Sequence, residues 1–65
     1  MSKRYMAYVL LSLYKKYSDM DYKTSNRLWN NLLDMTEFEL ESKLLEDKEL
    51  IIEEFPDLAE TLKDM

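Results

Sequence analysis

A chain of 65 residues with no cysteine, no histidine and no glycine is defined first by what it lacks. Disulfides, thiolate metal sites, histidine-based catalysis and the glycine-dependent phosphate loops and hairpin turns are all excluded. The net charge of −5 hides a division, because residues 1–27 hold six basic against two acidic residues (+4) and residues 28–65 hold three lysines against twelve acids (−9).

The first predicted helix covers residues 3–17. Met6, Leu10, Leu13 and Tyr17 recur at helical spacing, with Val9 and Tyr14 flanking the same stripe. The opposite face is also apolar, with Tyr5, Tyr8 and Leu11. A chain this short has too little material to cover both faces, so these three residues are expected to mediate self-association as a homodimer. Lys3-Arg4 followed by an apolar run superficially suggests a signal peptide. Ser12 interrupts the run, Tyr14-Lys15-Lys16 closes it, and no small-residue cleavage site follows. The run is also far short of the ~20 residues a membrane span needs. A soluble cytoplasmic protein with no membrane partner is expected.

Residues 18–24 read as a connection, since Ser and Asp bond nearby backbone in turns. Thr24 or Ser25 is then expected to cap a second helix over 25–34, with Leu28, Trp29, Leu32 and Leu33 on one face and Trp29 as an anchor. The strongest local signature is Thr36-Glu37-Phe38-Glu39, a capping box with Thr36 as N-cap and Glu39 at the third helical position. Met35 and Leu40 complete it as a hydrophobic staple.

The third helix is expected to run over 37–54. Its apolar face has two edges, Leu40, Leu44 and Ile51 on one and Phe38, Leu45 and Ile52 on the other, with Glu41 and Lys48 intruding between them. A break near Glu46-Asp47 is the second choice. Pro56 cannot continue that helix but suits the first turn of a last one, over 57–64, with Leu58, Ala59 and Leu62 apolar. The expected fold is all-α, a single domain over 1–65, built as a small antiparallel bundle of three to four helices. Its expected core is Met6, Leu10, Leu13, Tyr17, Leu28, Trp29, Leu32, Leu45, Ile52 and Phe55.

Two charged constellations are candidates for function. Glu37, Glu39, Glu41, Glu46, Asp47, Glu49, Glu53 and Glu54 crowd residues 37–54, opposed there by Lys43 and Lys48. Such a face either keeps a sticky protein soluble or captures a basic partner. The partner-binding residues are expected to be Glu37, Glu41, Glu46, Asp47, Glu49, Leu50, Glu53 and Glu54, with Leu50 included because it lies off the apolar stripe of its helix. The rival is Lys15, Lys16, Lys23 and Arg27, bracketing a helix-turn-helix-like pair. Against it stand a seven-residue expected connection and the net negative charge. Nucleic acid is therefore the alternative partner rather than the expected one.

Adjacent carboxylates such as Glu53-Glu54 diverge on a helix, and a small helical domain offers little cleft in which to shift a pKa. No catalytic residues, cofactor or metal ligands are expected. A small acidic non-enzymatic regulator is expected, an inhibitor or modulator that engages a basic protein partner through its acidic third helix.

Overall fold

A computed structural model describes residues 1–64 of the chain. Every element in it is helical: α1 (Lys3–Tyr17), α2 (Tyr22–Asp34), α3 (Glu37–Glu46), α4 (Lys48–Glu54), a 3-10 turn (Pro56–Leu58) and α5 (Ala59–Lys63). No described residue lies in a strand. None takes a positive φ either. A glycine-free chain cannot end its helices with the usual left-handed cap. It leaves α1 and α2 through extended residues instead, Ser18 (φ −143°, ψ 134°) and Met35 (φ −74°, ψ 153°).

The bounds of α1 agree with the apolar periodicity. Ser2 caps it, its hydroxyl accepting from the Tyr5 amide at 3.1 Å. The second helix begins three residues earlier than expected, at Tyr22 rather than residue 25. Asp21 is its N-cap: Oδ1 accepts from the Thr24 amide at 2.7 Å. A carboxylate there both satisfies an orphan amide and faces the positive end of the helix. Thr24 and Ser25 therefore lie inside the helix, and the connection shrinks to residues 18–21.

The capping box at Thr36 is complete. The Glu39 amide donates to Thr36 Oγ1 at 3.1 Å, and the Thr36 amide donates to Glu39 Oε1 at 3.2 Å. The segment 37–54 is two helices rather than one. Asp47 (φ −104°, ψ 22°) interrupts it, its amide donating to the Lys43 carbonyl and its own carbonyl accepting from the Ile51 amide. Ile51, on the same helical line as Leu40 and Leu44, joins them in the core across the break. The last helix is also shorter than 57–64. Pro56 opens a 3-10 turn, with Leu58 donating to the Phe55 carbonyl, before α5 begins at Ala59. Among the described residues five α-helices thus stand where three to four helices were expected.

α1 is the central element, packing against α2, α3 and α4, while the 3-10 turn bridges α4 and α5. The radius of gyration is 11.4 Å, close to the ~11 Å of a folded chain this long. The core comprises Met6, Ala7, Val9, Leu10, Leu13, Leu32, Leu40, Leu44, Ile51, Leu58 and Leu62. Four expected members, Leu28, Trp29, Ile52 and Phe55, are only half-buried against it. Two others are exposed. Tyr17 falls in the last turn of α1, where the chain leaves the helix. Leu45 sits on the outer edge of α3, because the Leu40–Leu44 edge is the one that faces α1. Phe38, on the same line as Leu45, is 76% exposed.

Candidate functional site

The outer surface of α3 and α4 carries the acidic residues. Glu37, Glu46, Glu49 and Glu53 are exposed, whereas Glu41, Asp47 and Glu54 are half-buried. At 100° per residue, Phe38 lies about 160° around α3 from Leu40, so its ring emerges on the side away from the core. The break at Asp47 shapes this surface. Leu45 ends one side of it and Leu50 the other, 41% and 40% exposed, and between them Glu46, Asp47, Lys48 and Glu49 line an open hollow of about 420 Å³. The result is an open notch lined by two leucines, three carboxylates and one ammonium group. Its chemistry suits an apolar side chain flanked by cations.

Phe38 and Leu45 are the residues that sequence reasoning left out of this surface, having assigned them to the apolar face. The available signal was quantity. Two apolar edges on one helix exceed what a domain of this length can cover, so one of them had to face outward.

Glu54 differs from the other acids. Its Oε1 accepts from Lys16 Nζ in the one salt bridge among the described residues, tying the end of α4 to the end of α1. That hydrogen bond raises the Lys16 ammonium above its ordinary pKa. Near the break, burial raises the Tyr14 hydroxyl, and the negative charges of Asp47 and Glu46 add to the effect. The α3–α4 junction therefore lies alongside the last turns of α1.

The basic cluster is dispersed by the same packing. Lys16 turns toward Glu54, about 100° around α1 from Lys15. Lys15 borders a second hollow of about 160 Å³ between α1 and α2, together with Leu11, Tyr22, Ser25, Asn26 and Trp29. Lys23 and Arg27 are exposed one turn apart on α2. The Ser25 hydroxyl, in a residue 9% exposed, has no hydrogen-bond partner.

Of the three residues expected to mediate self-association, Tyr5 and Tyr8 are exposed, and their rings stack with centroids 6.3 Å apart and 26° between planes. Leu11 is half-buried and packs against the core. Among the described residues, no group of three or more acidic side chains converges as a metal-binding cluster. No described helix is long and apolar enough to cross a membrane.

No protein-family pattern matches the chain, no curated protein matches it in sequence, and no solved structure matches it in fold.

Proposed function

We propose that this protein is a non-enzymatic binding protein, an inhibitor or modulator acting in the cytoplasm, that engages a basic protein partner through the acidic outer face of α3 and α4. The observation that carries this reading is the notch at Asp47, where Leu45 and Leu50 stand exposed among Glu46, Asp47 and Glu49. Solubility explains exposed carboxylates, but it does not explain two leucines held in their midst. An acidic rim around an apolar hollow raises the association rate for a cationic surface and supplies an anchor site once contact is made. Glu37, Glu41 and Glu53 extend the negative field along both helices. Glu54 contributes less, since Lys16 already neutralises it.

A second reading has one observation in its favour. The α1–α2 connection of residues 18–21 falls within the 3–4-residue length common in helix-turn-helix motifs, and Lys23 and Arg27 are exposed on the following helix. The loss of Lys16 to Glu54 and the net charge of −5 weigh against it.

Affinity capture from cell lysate separates the two. The pair Glu49→Lys with Glu53→Lys is expected to abolish capture of basic proteins, and Lys23→Glu with Arg27→Glu to leave it intact. If the first pair leaves every partner bound while the second abolishes DNA binding, the acidic-face reading is wrong.

A further inference from the structure

The surface best matched to the acidic notch belongs to this chain itself. Residues 1–18 contain Lys3, Arg4, Lys15 and Lys16 and no acidic residue; the first acid is Asp19. On the outer side of α1, Tyr8 lies about 160° around the helix from both Met6 and Leu10, at 100° per residue. Its ring is 53% exposed and stacked on Tyr5. Arg4 and Lys15, four residues before and seven after Tyr8, fall close to the same line of the helix and are exposed. This is an aromatic anchor bracketed by cations, the complement of an apolar hollow bracketed by carboxylates.

Within one molecule the two surfaces make no ion pair with each other among the described residues. The core side of α1 faces α3 and α4, so Tyr8 points away from them. On α3, Phe38 is 76% exposed and Leu45 41%, off the Leu40–Leu44 line that faces the core. The notch lies beside Tyr14, about 120° around α1 from Tyr8, so the two surfaces are different patches of the molecule. A contact between two different patches is heterologous, so a single such contact leaves one patch of each kind free for a further molecule. The Lys16–Glu54 pair satisfies one charge of each half internally. Arg4, Lys15, Glu46 and Glu49 make no salt bridge among the described residues and remain available.

We propose that the occupant of the α3–α4 notch is a second copy of this chain, which inserts Tyr8 between Leu45 and Leu50 and sets Arg4 and Lys15 against Glu46 and Glu49, so that molecules associate head to tail. This rests on the acidic-face reading above, with the basic α1 surface of a second, net acidic copy in place of a basic protein. It also replaces a symmetric dimer through Tyr5 and Tyr8 with a directional contact.

The test uses two variants, each lacking one surface. Glu46→Lys with Leu50→Ser removes the notch and changes the net charge from −5 to −3; Arg4→Glu with Tyr8→Ser removes the anchor and changes it to −7. All four positions are exposed, and circular dichroism checks that helix content is retained. By sedimentation velocity at low salt, the wild-type protein is expected to rise past twice the monomer mass as concentration increases, and to return toward monomer at high salt. Each variant alone is expected to stay monomeric. An equimolar mixture is expected to form a one-to-one complex that stops at twice the monomer mass, since only one notch and one anchor remain. A wild-type protein that is monomeric up to millimolar concentration overturns the proposal, as does a closed dimer that either variant still forms by itself. A basic helical peptide with a single apolar anchor distinguishes the two levels of the argument. If the wild type is monomeric but binds that peptide, and the notch variant does not, self-recognition fails while the acidic-face reading stands. If the notch variant changes neither behaviour, both fail.

Discussion

Leu44 and Leu45 are neighbours in sequence with opposite fates, and substituting each with alanine reads out which way α3 faces. Leu44 is fully buried in the core, whereas Leu45 is 41% exposed at the notch. Removing a buried leucine side chain costs the lost transfer free energy plus a cavity contribution, roughly 2–5 kcal/mol in total. Full burial of such a side chain is worth about 1.5–3 kcal/mol without the cavity. Leu45 is about three-fifths covered and opens onto solvent, so its truncation leaves no closed cavity and should cost about 1 kcal/mol. The stability of a chain this long is on the order of 3–10 kcal/mol. Leu44→Ala, taken at about 3 kcal/mol, is therefore a large fraction of the total. At roughly 4–8 °C per kcal/mol, it should lower Tm by about 12–24 °C, against about 4–8 °C for Leu45→Ala. Urea and thermal unfolding followed by far-ultraviolet circular dichroism, with Trp29 fluorescence as a second probe, measure both. The orientation of α3 described here is refuted if Leu45→Ala is the more destabilising of the two. Equal losses would mean that both edges of the helix are buried.

Thr36→Ala should cost about 1 kcal/mol by removing the cap of α3, and Thr36→Ser should recover most of it; denaturant titration of the three proteins checks this. Ser25→Ala should be neutral or stabilising by up to about 1 kcal/mol, because it deletes a buried hydroxyl without a partner and improves helix propensity. A clear loss in thermal melts would show that the hydroxyl is in fact bonded. Shifted groups make stability depend on pH at both ends of the range. Asp21 is held below the ordinary carboxylate pKa by the hydrogen bonds from Thr24. Its contribution is thus present above about pH 4 and is lost as pH falls through the depressed value. Asp21→Asn, which caps without a charge, should shallow the acid limb of the stability profile. Lys16 is raised by Glu54, so its contribution is present below about pH 10 and is lost as pH rises through the raised value. Lys16→Met should reduce the alkaline dependence and leave the part due to the raised Tyr14 hydroxyl, as read by melts across the pH range.

Local rules in the chain were sufficient for α1 and for the start of α3. The apolar spacing from Met6 to Leu13 and the reciprocal bonds of Thr36 and Glu39 involve residues at most a few turns apart, so both patterns are readable without any tertiary contact. The absence of glycine, histidine and cysteine and the split of charge between the two halves were equally plain. The start of α2 was legible in principle. Three potential caps, Asp21, Thr24 and Ser25, stood within five residues, and the carboxylate took precedence. The facing of α3 was not legible. Leu40 and Leu44 on one edge and Phe38 and Leu45 on the other are equally apolar, and propensity does not distinguish them. The choice follows from the packing of α1, which buries the line of Leu40, Leu44 and Ile51. It leaves Leu45 and Leu50 exposed among carboxylates, so the notch arises from the same packing choice as the core. The pairing of Lys16 with Glu54 spans 38 positions of sequence. A contact that long-range exists only once the helices have docked, because chain closure and burial, rather than local geometry, decide which of many like charges become neighbours.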